Sequence, residues 1–184
     1  HSSISFWPNW LSSNEADNLL CKSIDSIDWR ADKIKIVGKY IFIPRLQQWF
    51  GDPGTGYTYS NIRMQAVSFP DWIDSLRAAI ERQTGAAFNR ALVNYYRDGS
   101  DSVDWHADNE STLGPSPIIA SLSLGVARVF QLRHQVTQQR ISIPLPHGSL
   151  LMMGAGIQSY WHHRIAKVKD LREPRVNFTF RYMG

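Results

Sequence analysis

From Ala91 to the C-terminus the sequence does not settle into a helical period. It breaks instead into short apolar-rich runs: Ala91–Arg97, Ile118–Leu124, Arg128–His134, Arg140–Leu145, Ser149–Met153, Gln158–Ile165 and Arg175–Tyr182. Turn signals separate them. Gly125-Val126-Ala127 reads as a hairpin turn, and Pro146-His147-Gly148 and Gly154-Ala155-Gly156 read as loops. Closely spaced short strands predict a sandwich or barrel rather than a βαβ fold. The last run is the sharpest of them. Val176, Phe178 and Phe180 alternate with Arg175, Asn177, Thr179 and Arg181, so a strand here carries one apolar and one polar face. An ordinary half-buried strand with a wet face explains that alternation, but it does not use the Arg at each end.

Upstream the texture is helical. Ser12-Ser13-Asn14-Glu15, followed by Ala16, Leu19 and Leu20, reads as a capped helix start with Asn14 or Ser13 as the N-cap. Phe69-Pro70-Asp71 opens a second helix through Trp72, Ile73, Leu76 and Ile80 to a closing Gly85. Between them, Lys33 to Ser60 holds two strand-like pieces and the turn-rich patch Gly51-Asp52-Pro53-Gly54-Thr55-Gly56. The expected class is mostly β with flanking helices (α+β), built on a double-stranded β-helix, or jelly roll. At 184 residues one domain, 1–184, accommodates it.

Composition narrows the class of function. Twenty Lys and Arg against sixteen Asp and Glu leave a net charge of +4, which suits a phosphate-bearing partner without requiring one. Seven Trp, seven Tyr and eight Phe exceed what a core of this size demands, and base-stacking proteins carry such an excess. The single Cys21 excludes an internal disulfide framework and points to a reducing, intracellular compartment. No apolar run approaches the ~18 residues of a membrane span. The chain opens on His1-Ser2-Ser3 rather than Met, so upstream signals are left unjudged.

Chemistry concentrates in Asp104-Trp105-His106-Ala107-Asp108. In an extended segment His106 and Asp108 point the same way, giving two thirds of a His/His/carboxylate facial triad for Fe(II). A triplet of this kind is weak alone and needs a distant second His. Trp161-His162-His163-Arg164 offers two, of which strand alternation lets only one face inward, and spacing alone does not choose between them. On the closing strand, Arg175 and Arg181 stand roughly 20 Å apart along the backbone. They can hold one small dicarboxylate only if their long side chains converge on it.

His106-x-Asp108, a later His, then Arg175-x-Asn177-x-Thr179-x-Arg181 together resemble the AlkB family of nucleic-acid demethylases, most closely its animal-type duplex DNA repair branch. The likeness continues through Asn94-Tyr95-Tyr96-Arg97-Asp98-Gly99, Pro117 to Gly125, and His147-Gly148-Ser149-Leu150-Leu151-Met152-Met153. It reaches upstream to Pro44-Arg45 and Gly51-Asp52, covering roughly residues 34–183. The resemblance implies an Fe(II)-, 2-oxoglutarate- and O₂-dependent dioxygenase that oxidatively dealkylates 1-methyladenine and 3-methylcytosine. It assigns the iron to His106, Asp108 and His163. His163 is preferred to His162 because the family's ligand stands twelve residues before the first Arg of the last strand. Arg175, Tyr96 and Asn177 then take the far carboxylate of 2-oxoglutarate, and Arg181 and Asn94 the carboxylate beside the keto group.

By the same likeness, residues 32–60 form a base-recognition lid over a catalytic core at 91–184. Tyr59 stacks on a flipped base, Tyr57 makes a polar contact, and Asn109 and Glu110 touch the base edge. Ile36 and Val37 stand where the duplex-acting relatives carry an aromatic wedge. Lys33, Lys35, Lys39, Arg45, Arg164, Lys167, Lys169 and Arg172 are expected to flank the opening as phosphate contacts. The expected partner is alkylated DNA, duplex or single-stranded, with RNA as the alternative. A protein hydroxylase and a non-catalytic jelly-roll module are the rival readings. A monomer is expected, in the nucleus of a eukaryote or the cytoplasm of a bacterium.

Overall fold

The computed structural model describes residues 2–36, 38–52, 56–59 and 62–184, with backbone alone for 35, 36, 56–59 and 62–65. Strand β1 (Ile4–Trp7) leads into helix α1 (Ser13–Ser26). Strands β2 (Lys33–Ile36) and β3 (Lys39–Phe42) pair as a hairpin, followed by β4 (Leu46–Gly51) and the pair β5 (Gly56–Tyr59) and β6 (Ile62–Gln65). Helix α2 (Asp71–Thr84) precedes β7 (Arg90–Tyr96), β8 (Val103–His106), β9 (Ile119–Gly125) and β10 (Arg128–His134). The chain closes with β11 (Arg140–Leu145), β12 (Ser149–Met153), the short α3 (Ile157–Tyr160), β13 (Trp161–Ile165) and β14 (Arg175–Arg181).

Two antiparallel sheets face each other, six strands in the order β1-β12-β9-β14-β7-β4 and four in the order β11-β10-β13-β8. This is the jelly roll that the strand spacing predicts. Three layers follow from where the apolar side chains go. One core lies between the larger sheet and the two helices, where Ile73, Leu76 and Ile80 of α2 meet Phe178 and Phe180 of β14. Trp72 adds an edge-on contact to the Phe178 ring at 6.1 Å. A second core, including Ile119, Phe130, Leu132 and Leu151, lies between the sheets.

The helix caps depart slightly from expectation. Ser12, not Ser13 or Asn14, caps α1, and it forms a reciprocal capping box with Glu15. Helix α2 ends as predicted on Gly85, whose φ of 69° is the left-handed C-terminal geometry that glycine adopts without strain.

Two expectations about strand connections fail for tertiary reasons. Gly125-Val126-Ala127 is not a hairpin turn: β9 lies in the six-stranded sheet and β10 in the four-stranded one, so the segment crosses between sheets. Gly125 takes φ 89° there, and a Cβ would meet the Pro174 carbonyl oxygen at 2.3 Å. The predicted strand Gln158–Ile165 begins only at Trp161, because Ile157–Tyr160 coil into α3. The closing strand has no wet face, since all seven residues of β14 are buried. One face meets the helices and the other looks into the space between the sheets.

Candidate active site

The antiparallel register of β8 and β13 sets His106 directly opposite His163. Alternation along β13 turns His163 inward, 5% exposed, and leaves His162 on the outer face beside Arg133 of β10. Asp108 lies two residues past the end of β8. One ligand atom each from His106, Asp108 and His163 converge to within 4.8 Å of one another.

The hydrogen bonds around these groups suit a cation. His106 Nδ1 lies 2.8 Å from the carbonyl oxygen of Asp104, which can only accept, so Nδ1 carries the proton. The lone pair of His106 Nε2 then faces Asp108 Oδ1 at 3.7 Å. Two electron-pair donors turned toward each other call for a positive ion between them, and two His with one carboxylate are the donor set of a non-haem Fe(II) site. His163 Nδ1 is buried with no hydrogen-bond partner. Burial, reinforced by the neighbouring His106, pushes His163 down to about 3 and keeps it neutral, the form that ligates metal. For Asp108 burial acts the other way, but the neighbouring positive charge, Arg181 foremost and then Arg45, outweighs it and holds the carboxyl below its usual range.

Arg181 ties the second cluster to the first, donating from Nη2 to Asp108 Oδ2 at 3.2 Å while its guanidinium lies over the Trp49 ring. The other end of β14 is different. Arg175, 1% exposed, donates from Nη2 to Ser123 Oγ at 2.9 Å, and its Nε and Nη1 have no partner. Its guanidinium carbon stands 5.0 Å from the centroid of the Tyr96 ring, the residue opposite it in the β7 register. Arg181 Nε is likewise without a partner. Buried guanidinium donors left open at both ends of one cavity fit a dianionic carboxylate ligand, because buried donors without partners are costly otherwise.

The cavity gathers His106, Asp108 and His163 with Asn94, Tyr96, Arg175, Asn177 and Arg181, and Arg45 joins them. Arg45 was expected on the basic rim. It is only partly exposed, donating from Nε to Asn94 Oδ1 at 2.7 Å and from Nη1 to the Ser102 carbonyl at 3.1 Å. Asn177 lines the cavity, but its amide donates to Ser121 Oγ and to the Leu122 carbonyl, both at 2.8 Å. Its Oδ1 accepts from Thr179. It therefore braces β14 against β9.

A groove runs outward from His106 and Arg45 along Trp105, Phe42, Arg164 and Lys167. Lys33, Lys39, Lys167, Lys169 and Arg172 are exposed, as phosphate contacts must be, whereas Arg164 is half-buried and donates to Gln131. Asn109 is exposed and Glu110 partly so. Val37 and Ser60, and the side chains of Lys35, Ile36, Tyr57 and Tyr59, lie outside the described residues.

Sequence reasoning missed several supports. Gln158, 2% exposed, accepts the backbone N–H of Asp108 at 2.9 Å. Ser121 and Ser123 hold Asn177 and Arg175 from the neighbouring strand. Two serines at alternate positions of an otherwise apolar strand were the signal for the latter; nothing local marks Gln158.

Comparison with known proteins agrees with this geometry. A model of the 2OG-Fe(II) oxygenase superfamily matches residues 3–181. The alpha-ketoglutarate-dependent dioxygenase alkB homolog 3 of Rattus norvegicus is 38% identical over 98% of this chain, which spans 64% of that protein's length. The DNA oxidative demethylase ALKBH2 of Homo sapiens is 34% identical over 91% of this chain, covering 68% of its own. Among solved structures, that of OsALKBH1 superposes with a TM-score of 0.66 at 18% identity, covering 98% of both chains. A Pseudomonas putida prolyl-4-hydroxylase superposes at 0.58 and 17%, covering 100% of this chain and 94% of its own. At those identities the structures speak for the fold alone.

Proposed function

The chain belongs to the 2OG-Fe(II) oxygenase superfamily, and within it to the AlkB family, and from that premise we propose that it oxidatively removes N-linked alkyl groups from bases of DNA. The family implies Fe(II), 2-oxoglutarate and O₂. The observation that carries the reading is the convergence of His106, Asp108 and His163 beside two buried arginines with open donors.

In this reading His106, Asp108 and His163 would hold the iron, and a donor set of three leaves room for co-substrate and O₂. Arg175 and Tyr96 receive the far carboxylate of 2-oxoglutarate. Arg181 receives the near one with Asn94, whose Oδ1 is occupied by Arg45 while its amide hydrogens remain to donate. When bound, these cofactors supply oxidation of the alkyl carbon, coupled to conversion of 2-oxoglutarate to succinate and CO₂; the oxidised alkyl group then leaves as an aldehyde.

The chain's own work is to select and seat the base. An alkyl group on the pairing edge of adenine or cytosine lowers the cost of flipping that base out of the stack. We assign 32–60 to the lid, with Tyr59 stacking on the base and Tyr57, Asn109 and Glu110 on its polar edge. Residues 91–184 form the catalytic core of a single domain, 1–184. Lys167 lines the groove; we assign the exposed Lys33, Lys39 and Lys169 to its rim, and phosphates are the partners such a rim favours. No described helix is long and apolar enough to cross a membrane; an intracellular, monomeric enzyme acting in the compartment that holds DNA fits this reading.

The test is succinate formation with Fe(II) and 2-oxoglutarate, with and without matched DNA and RNA oligonucleotides carrying 1-methyladenine or 3-methylcytosine. The reading expects turnover stimulated by the methylated DNA. Stimulation by RNA alone would reassign the substrate, and stimulation by neither would remove nucleic acid as the partner.

A further inference from the structure

Arg128 is a second buried cation at the Arg175 end of the cavity, outside the roles assigned so far. It opens β10 and is 2% exposed. Nη2 donates to the carbonyls of Asp101 at 2.9 Å and Ala166 at 2.6 Å, and Nη1 to that of Asp98 at 3.3 Å, while Nε has no partner. All of these acceptors are neutral. The nearby carboxylates are engaged elsewhere: Asp101 grips Arg97 through both oxygens at 2.8 Å, and Asp98 accepts from Ser100. Among the described residues Arg128 makes no ion pair, and neither does Arg175.

Tyr96 joins the two. The Arg128 guanidinium carbon lies 5.6 Å from the centroid of its ring and that of Arg175 lies 5.0 Å from the same centroid. Burial lowers both guanidiniums from their usual value, outweighing the opposing pull of Tyr96 on both and of Asp101 and Asp98 on Arg128, and the charge of Arg128 lowers Arg175 further. Tyr96 lines the cavity; Arg128 does not. Arg128 thus stands behind the cavity wall, and its positive charge is felt through a low-dielectric interior at the place where Arg175 has open donors.

We propose that Arg128 is a positioning and specificity-determining residue. It steadies the Tyr96 ring and, by adding a second buried positive charge, makes the inner end of the cavity prefer a ligand whose far group is anionic over one whose far group is neutral. This rests on the reading that Arg175 and Tyr96 receive the far carboxylate of 2-oxoglutarate. The simpler role, pinning the loops that carry Asp98, Asp101 and Ala166, accounts for the hydrogen bonds but predicts no ligand preference.

The experiment measures affinities of the full chain, loaded with Mn(II), for 2-oxoglutarate and for 2-oxoglutaramate, in which a neutral amide replaces the far carboxylate. Arg128→Met is expected to weaken 2-oxoglutarate by roughly tenfold and the amide by less than about twofold, the scale of one unit charge at this depth. Equal weakening of both ligands, or none, overturns the proposal and leaves Arg128 a loop pin. Arg128→Lys keeps the charge and loses the fork, so it should hold the wild-type preference within about threefold even where the Met variant folds poorly. A Lys variant that folds but has lost the preference overturns the proposal as well. A parent chain that does not distinguish the two ligands defeats the underlying 2-oxoglutarate reading, and is recognised because it fails before any substitution is made.

Discussion

The two ends of β14 carry the same residue in opposite states. At one end Arg181 already has a counter-charge, its guanidinium paired with the Asp108 carboxylate at 3.2 Å and laid over Trp49, with only Nε left open. At the other, Arg175 has only uncharged neighbours, Ser123 and Tyr96, and no carboxylate within ion-pair reach among the described residues. The first end is coupled to the metal ligands and is part of what holds the apo fold together. The second is held open at a cost to the fold, which a ligand carboxylate offsets. Identical side chains on one strand face therefore have different work: one orients a ligand of the metal, and the other recognises a small molecule.

The largest effect should come from the triad that Arg181 supports. His163→Ala and Asp108→Asn are expected to lower bound Fe(II), read by metal analysis, and succinate formation by at least roughly 100-fold, more than loss of a supporting residue causes. His162→Ala should change both little. If His162→Ala abolished metal binding and His163→Ala preserved it, the third ligand would have to be reassigned.

Denaturant unfolding of the metal-free protein tests the comparison itself. Arg181→Met leaves a buried carboxylate unpaired and should cost about 3–5 kcal/mol. Arg175→Met removes a buried charge that has no counter-charge, so it should leave apo stability unchanged or raise it while abolishing 2-oxoglutarate binding. Equal destabilisation by the two substitutions would break the distinction between a matched and an open end.

The pH dependence sharpens it further. His163 is held neutral down to about 3, against an ordinary value of 6.5 in an unfolded chain. Between those values the unfolded chain binds a proton that the folded one refuses, so metal-free stability should fall as pH drops below 6.5. The slope from this one group is at most about 1.4 kcal/mol per pH unit, and His163→Gln should remove it. An unchanged slope would mean that His163 is solvated rather than buried at the site.

Smaller effects belong to the lid. Tyr59→Ala should impair dealkylation by roughly 1–3 kcal/mol, the worth of one base stack, with 2-oxoglutarate affinity intact. Loss of co-substrate affinity instead would move Tyr59 to the structural interior. Val37→Phe should shift preference from single-stranded toward duplex substrate, because an aromatic wedge replaces stacking better than a small aliphatic one. Identical duplex-to-single-strand ratios for the parent, Val37→Ala and Val37→Phe would remove the wedge.

Much of this site was legible because strands write their faces into alternate residues. The grouping of Arg175, Asn177, Thr179 and Arg181 needs only the period of two, and so does the sorting of His162 from His163 once an inward face exists. The start of the first helix was visible within two residues and the glycine end of the second at Gly85 itself, since capping is a local hydrogen-bond matter; Ser12 displaced Ser13 and Asn14 because it stands three before Glu15. What misled was always a question of what lies on the far side. Gly125 and the following residues have hairpin chemistry, but nothing local says that β9 and β10 go to different sheets.

The sequence by itself determined the donor types, their order along the chain and the strand faces they occupy, because side-chain chemistry and backbone periodicity are local properties. Only the tertiary structure decided that His106 stands opposite His163, that both faces of β14 are dry, and that Arg45 turns inward to Asn94. It alone separated a paired Arg181 from an open Arg175. Register between distant strands, burial and the absence of a counter-charge depend on which segments the whole chain brings together, and no stretch of residues carries that information alone.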